Sequence, residues 1–187
     1  MVAVILVVPF QKAVGSIFPD LSFYAIIIWA ALEEVFKLVA GYFGGLHSTE
    51  DNEPIDSMIY MITAALGFVA LENTLFIFSP IQAHDLSQTI LTGNMRFLGA
   101  SILHIVTSGV VGAGLSIGFY QARARKWKLG ILALIGAIII HSAFNLIIVH
   151  LAGWGMPLAF LIVWLSAVLL LLMFERVKLL RPDVDGL

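Results

Sequence analysis

The sequence contains no cysteine, and only 12% of its 187 residues are charged. The absence of cysteine excludes disulfides, thiolate metal sites and a cysteine nucleophile. The charged fraction is about half of the roughly one quarter found in soluble domains, which excludes an ordinary soluble fold. The formal net charge is -2, and no run of basic and aromatic residues is long enough for a nucleic-acid interface. We therefore expect no nucleic-acid partner.

Long hydrophobic runs dominate the chain instead. Hydrophobic residues make up 60% of it, and the mean hydropathy is +1.02. A helix needs about 20 mostly apolar residues to cross a bilayer. The sequence therefore predicts an all-α, polytopic transmembrane helical bundle with five to six spans, forming a single domain over residues 1–187 in the lipid bilayer. The predicted spans, bounded by polar or turn residues, are 21–46, 57–78, 95–121, 129–151 and 157–174.

The first segment, residues 1–18, is predicted to be irregular. Pro9, Gln11 and Lys12 interrupt it. It could form a kinked span, a re-entrant piece or the remnant of a longer N-terminal region. It lacks the basic region and the small-residue cleavage site of a signal peptide, so we expect it to belong to the mature protein.

Two basic segments predict the orientation of the bundle. The turn 123–128 holds four basic residues and the tail 175–187 holds three. Lysine and arginine concentrate on the cytoplasmic side of a membrane, and the two spans between these segments allow both to face it. We therefore expect a multi-pass protein of a prokaryotic plasma membrane with the 123–128 loop and the C-terminus in the cytoplasm. The loop 79–94 then lies outside.

Carboxylates and imidazoles at membrane depth are the main functional clue. At 1.5 Å per residue, Glu33 and Glu34 lie roughly 18 to 20 Å from the outer end of their span. Glu72 lies roughly 10 Å from the outer end of its span, and His104 and His141 roughly 14 to 15 Å from theirs. A charge at the bilayer centre costs about 2.5 to 3.5 kcal/mol on insertion scales, so such residues normally face the bundle interior and pair or work there.

A structural interpretation of the same residues competes with the functional one. Glu33 and Lys37 are four residues apart on one helix face and could form a neutralised pair. The histidines could be interhelical hydrogen bonders. Arg96, near the outer end of its span, is predicted to be a snorkelling anchor rather than a substrate contact.

Asparagine and serine side chains extend the candidate site. Asn145 lies four residues after His141 on the same helix face, where its amide could orient the histidine, donate to an oxyanion or pack between helices. Ser108 lies one turn beyond His104, but no GxSxG-like elbow supports it as a nucleophile. Hydrolysis through an activated water is therefore the favoured chemistry.

A metal site is one way to activate that water. Glu72, His104 and His141 form a plausible two-histidine, one-carboxylate zinc site with one open position, which leaves Glu33 or Glu34 as the base. The three ligands come from three different spans, and no HExxH pair supports them. Zinc is therefore a candidate cofactor, with an unassisted glutamate base as the alternative.

Four short motifs follow one another on separate spans. Residues 33–37 (EEVFK) match EExxK, and residues 68–73 (FVALEN) match FxxxE with a following asparagine. Arg96, followed by His104 and a glycine-rich stretch, precedes the fourth motif, residues 141–145 (HSAFN). In this order the motifs resemble those of the PrsW family of intramembrane proteases, which belongs with the CAAX prenyl-endopeptidase superfamily.

The resemblance implies a helical-bundle peptidase that cleaves a single-pass membrane protein, such as an anti-sigma factor, as the first cut of a signalling cascade. The prenyl peptidases have a histidine where this chain has Glu72, which favours a PrsW-type substrate. The motifs do not decide whether such a site uses a metal. The implied catalytic set is Glu33, Glu34, Glu72, His104 and His141, with Asn145 as a further candidate.

Two other classes of function stay open at this point. Membrane-embedded glutamate, histidine and lysine also form proton relays, so a proton-coupled or ion transporter is the first alternative. The sequence shows neither the inverted repeats nor the broken helices that are frequent in transporters. A non-catalytic membrane interaction or immunity protein is the second alternative.

Overall fold

Lipid offers the backbone no hydrogen-bonding partner, so an apolar chain must satisfy its own N–H and C=O groups within helices. A computed structural model describes residues 2–19, 21–151 and 153–182, except for the side chains of Ser79 and Thr92. Within this part of the chain, the secondary structure is helical and no strand is found. The α-helices are α1 (Val2–Ile17), α2 (Phe23–Gly41), α3 (Pro54–Gln82), α4 (Leu86–Met95), α5 (Ser101–Ile117), α6 (Arg123–His150) and α7 (Gly155–Lys178).

Two π-helical turns modify this pattern. The first, Tyr42–Leu46, extends α2, and the second, Arg96–Ala100, joins α4 to α5. The helix is therefore continuous over Leu86–Ile117. A π-turn rotates the side chains that follow it and often marks a functional site.

The prediction of a polytopic helical bundle is confirmed. Four helices of the described chain are long and apolar enough to cross a bilayer, namely Pro54–Gln82, Leu86–Ile117, Arg123–His150 and Gly155–Lys178. The apolar α1, with 16 residues, is shorter, and α2 carries three charged residues. The count of five to six spans stays a prediction.

The predicted boundaries were wrong in three places. Most of the predicted loop 79–94 is helical, because only a tight turn separates α3 from α4. Asp85 caps α4, since its Oδ1 accepts a hydrogen bond from the backbone N–H of Gln88 at 2.9 Å. The basic segment 123–128 forms the first turns of α6 rather than a connection, since lysine and arginine are good helix formers. The first segment, predicted to be irregular, forms one helix, Val2–Ile17, with Pro9 inside it; whether it spans the bilayer stays a prediction.

Helix α5 lies at the centre of the bundle. It packs against α3, α6 and α7 and also contacts α2. A Cβ atom at Gly112 would lie 2.6 Å from Met58 Cα on α3, and one at Gly114 would lie 2.8 Å from the Leu129 carbonyl oxygen on α6. Glycine allows these close approaches, as small residues do in membrane helix interfaces. The polar side chains of α5 consequently face neighbouring helices.

Helix α1 covers one side of the bundle. Val4 and Val7 pack with Phe68 of α3 and with Leu32 and Phe36 of α2. These contacts involve the first half of α1. The second half, beginning near Gln11, borders a cavity instead.

Candidate active site

A cavity of about 920 Å³ lies between α1, α2, α3, the start of α5, α6 and the start of α7. Its wall is mostly apolar, with the aromatic rings of Trp29, Phe68, Phe76, Phe144 and Phe160 among the lining side chains. A small group of polar side chains interrupts this wall, and most of them were predicted as site residues. The group contains Gln11, Lys12, Glu33, Glu72, Arg96, His104, His141 and Asn145.

Two of the three charged residues of α2, Glu34 and Lys37, form a buried ion pair. Lys37 Nζ donates to Glu34 Oε1 at 2.7 Å, and both side chains are fully buried. Lys37 also contacts His104 Nδ1 at 3.0 Å and donates to Thr107 Oγ1 at 3.2 Å. The pair of Glu33 with Lys37, which the structural interpretation required, is not formed, because Lys37 reaches the glutamate three residues earlier rather than four.

Glu34 fixes the orientation of His141. The distance from His141 Nδ1 to Glu34 Oε1 is 2.6 Å. The Glu34 carboxylate, which already accepts from Lys37, also accepts a hydrogen bond from His141 Nδ1. In the neutral ring the proton is therefore on Nδ1, and Nε2 keeps its lone pair. His141 Nε2 then lies 3.7 Å from Glu33 Oε2. The adjacent glutamates therefore contact opposite nitrogens of the same imidazole.

His104 is held on both sides. Its Nδ1 faces the Lys37 ammonium group, which can only donate, so Nδ1 accepts. The proton of the neutral ring is consequently on Nε2, which lies 3.1 Å from Glu72 Oε2. The rings of His104 and His141 are perpendicular, with centroids 5.0 Å apart.

Glu72 and Arg96 form the outer part of this network. Arg96 Nη2 donates to Glu72 Oε2 at 2.6 Å, and its Nε donates to Asn73 Oδ1 at 2.8 Å. The guanidinium lies 3.6 Å from the centroid of the Phe76 ring. The predicted role of Arg96 as a snorkelling anchor is therefore wrong, because its side chain binds Glu72 and Asn73 inside the bundle. Arg96 is also the first residue of the π-turn Arg96–Ala100.

Within the described chain, one carboxylate oxygen of Glu33 accepts a hydrogen bond and the other accepts none. Gln11 Nε2 donates to Glu33 Oε1 at 2.7 Å. Within the described chain, Glu33 Oε2 is buried without a hydrogen-bond partner. Gln11 was not predicted as a site residue, although an amide in a mostly apolar helix was a signal that could have identified it.

Asn145 and Ser108 have different environments. Asn145 lines the cavity one turn after His141, and its amide makes no hydrogen bond to a described residue. Ser108 is fully buried, and its hydroxyl finds no partner in the described part of the chain. Ser108 is not part of the cavity wall, so its hydroxyl is not presented to a substrate.

Three of the site residues could hold a metal ion. Ligand atoms of Glu33, His104 and His141 all lie within 4.8 Å of one another, and the three residues are buried. This group contains Glu33 in place of Glu72, which was the predicted carboxylate ligand. Glu72 is instead bonded to Arg96 and His104.

The donor set fits zinc. Two histidines and one glutamate form the protein ligands of several catalytic zinc sites. The unpartnered Glu33 Oε2 and the free Nε2 of His141 are suitable ligand atoms. The contact between His141 and Glu34 is of the kind that orients a metal-binding histidine through its other nitrogen.

Comparisons with known proteins point to one family. The family model described as PrsW family intramembrane metalloprotease matches residues 1–173. Protease PrsW of Halalkalibacterium halodurans is 26% identical over 162 residues, which covers 83% of this chain and 66% of that protein. Protease PrsW of Geobacillus kaustophilus is 26% identical over 140 residues, covering 74% and 58%. Protease PrsW of Shouchella clausii is 23% identical over 171 residues, covering 90% and 75%.

The matched region is shorter than these relatives. The chain spans less than two thirds of the length of the first two. No solved structure matches the chain.

Proposed function

The chain belongs to the PrsW family of intramembrane metalloproteases, and we propose that it hydrolyses a peptide bond of a single-pass membrane protein within the bilayer. One observation carries this proposal. Two carboxylates and two imidazoles, exposed by 7% or less, meet beside a cavity inside a bundle of apolar helices. Ionisable groups in such a place normally bind or react rather than only support the fold. The four residues are Glu33, Glu34, His104 and His141.

We assign the role of general base to Glu33. Each glutamate has one bonded oxygen and one buried oxygen without a partner within the described chain. Glu33 lines the cavity and Glu34 does not, so only the free oxygen of Glu33 lies beside the substrate. A base must offer a free lone pair within reach of the water that it deprotonates. The nearby Nε2 of His141 also has a lone pair and would help to orient that water. Glu34 then acts by holding His141 in the required tautomer.

The remaining steps follow from the proton balance. Glu33 takes one proton from water, and the resulting hydroxide attacks the scissile carbonyl carbon. We assign stabilisation of the oxyanion to the Asn145 amide, which lines the cavity. The proton held by Glu33 is then delivered to the leaving nitrogen as the C–N bond breaks. Arg96 compensates the charge of Glu72, which would otherwise oppose the oxyanion.

A resident zinc ion would be held by Glu33, His104 and His141. In that alternative His104 would give up its Nε2 proton, and Glu33 would serve as a ligand instead of as the base. When bound, it would supply Lewis-acid polarisation of the carbonyl and a more acidic water. The buried Lys37 and Glu34 and the partly buried Gln11 would orient these ligands through the hydrogen bonds described above.

The cavity supports an apolar polypeptide as the substrate. Its wall is mostly hydrophobic and aromatic, and its volume of about 920 Å³ falls within the range of ligand pockets. The basic residues of 123–128 and of the C-terminal segment support a cytoplasmic location for that end of the bundle. We therefore propose that the cavity opens toward the outer leaflet.

Cleavage by the purified protein in lipid bilayers tests the proposal. Wild type is incubated with a panel of single-pass membrane proteins, and the products are identified by mass spectrometry. Glu33→Gln should lower kcat by about 100-fold or more, which is typical for loss of a general base. Glu175→Gln is the matched control, because Glu175 is exposed and, among the described residues, pairs only with Lys178.

Folding of each variant is checked by thermal unfolding. Full activity of both Glu33→Gln and Glu34→Gln would exclude both residues as the general base and would overturn the proposed mechanism. If folded wild type cleaves nothing but carries protons across the bilayer, the transporter alternative replaces the proposal.

A further inference from the structure

Helix α1 contributes a side chain to the site that none of the four motifs contains. Gln11 is the residue of α1 whose side chain reaches a carboxylate of the site, with its Nε2 2.7 Å from Glu33 Oε1. The two residues are 22 positions apart in the sequence and lie on different helices. Packing between α1 and α2 therefore creates this contact.

Two residues of α2 bind Gln11 at once. The indole Nε1 of Trp29 donates to the Gln11 carbonyl oxygen at 3.1 Å, while Glu33 accepts from the Gln11 amide. Trp29 and Glu33 are four residues apart and thus lie on the same face of α2. One contact fixes the backbone of α1, and the other fixes the carboxyl group.

The chemistry of the amide suits this position. A glutamine donates a hydrogen bond without adding a charge, whereas lysine or arginine would neutralise the carboxylate. The bond occupies Oε1 and leaves Oε2 on the side of His141, at 3.7 Å from Nε2. A freely rotating carboxyl group would spend much less time in this orientation, and orientation of the base contributes strongly to rate.

We propose that Gln11 is a positioning residue that orients the Glu33 carboxylate toward His141, which makes α1 part of the active site. This inference rests on the proposed peptidase function. It predicts that removal of the amide slows turnover without weakening binding of the substrate.

The test compares Gln11→Met with wild type in the bilayer cleavage assay. Methionine has a similar length and cannot donate. We expect kcat to fall by about 10- to 100-fold, consistent with loss of a hydrogen bond to a charged group, and KM to stay within about twofold. Trp29→Phe keeps an aromatic ring and loses the N–H, so kcat should fall less. Ser16→Ala is the control on α1, because within the described part of the chain the Ser16 hydroxyl donates only to the Ala13 carbonyl of the same helix.

A thermal double-mutant cycle tests the contact without any substrate. Gln11→Met should lower Tm by about 2 to 4 °C in wild type. It should leave the Tm of the Glu33→Ala variant unchanged, because the acceptor is then already missing. Equal Tm losses in both backgrounds would show that the amide acts elsewhere and would overturn the inference.

The outcomes separate the two proposals. If wild type cleaves a substrate and Gln11→Met has the same kcat, only the positioning role is refuted. A rise in KM at unchanged kcat also refutes it, because the amide would then serve binding. If wild type cleaves no substrate, the proposed function fails and the positioning role fails with it.

Discussion

The buried pair of Lys37 and Glu34 allows a sharp prediction about stability. Both side chains are fully buried, and the Nζ–Oε1 distance is 2.7 Å. Replacing Lys37 by methionine removes the ammonium group and keeps most of the side-chain volume. Glu34 would then keep His141 as its remaining polar partner, and His104 Nδ1 and Thr107 Oγ1 would lose a donor.

The magnitude follows from comparison with a second pair of the same spacing. Lys178 and Glu175 are also three residues apart, at 2.6 Å, but are 52% and 69% exposed. Exposed pairs contribute less than about 1 kcal/mol. Breaking a buried pair costs about 3 to 5 kcal/mol, because an uncompensated charge stays behind. We expect a loss of this size for Lys37→Met and a loss below about 1 kcal/mol for Lys178→Met.

Reversible unfolding in mixed micelles, followed by tryptophan fluorescence, measures both losses. The double variant Glu34→Gln with Lys37→Met removes both charges and should recover at least half of the stability lost by Lys37→Met alone. Equal losses for Lys37→Met and Lys178→Met would refute the reasoning. So would strictly additive effects of the two substitutions at the buried pair.

Three further predictions concern the network, the packing and the metal. Arg96→Lys should lower kcat by about 10-fold or more in the cleavage assay, because lysine cannot bind Glu72 and Asn73 together as the guanidinium does; unchanged kcat would contradict this. Gly112→Ala should destabilise by about 1 to 3 kcal/mol in micelle unfolding, because its Cβ would meet backbone of α3. Gly136→Ala, with open space around the new Cβ, should not destabilise. Elemental analysis should find a stoichiometric zinc ion in wild type and a loss of zinc in His141→Ala; a metal-free, active wild type would restrict the mechanism to the protein groups.

The fold class follows from composition because lipid removes most alternatives. An apolar chain of this kind must satisfy its backbone within helices, so hydropathy alone predicts a helical bundle. Boundaries were harder to predict where polar residues occur near the helix ends. Residues 79–94 are polar enough to predict a loop, yet a short turn capped by Asp85 interrupts the helix there only briefly.

That polar residues of different spans lie at a similar level along the bundle could also be predicted, because the rise per residue along a helix is constant. The direction in which each side chain points could not be predicted from the sequence. Neighbouring residues on a helix point about 100° apart, so the rotation of α2 about its axis decides which of Glu33 and Glu34 binds Lys37 and which lines the cavity. Positions three and four residues away are both neighbours on a helix surface, and the sequence does not choose between them.

The sequence by itself determined that this chain is a helical membrane protein with acids and imidazoles at a common depth, because hydropathy and helical rise are local properties. The tertiary structure decided that Glu34 binds Lys37 and His141, that Arg96 turns inward to Glu72, and that α1 brings Gln11 to Glu33. These contacts join residues from different helices, or depend on how a helix is rotated against its neighbours. Packing of the whole bundle determines both the contacts between helices and the rotation of each helix.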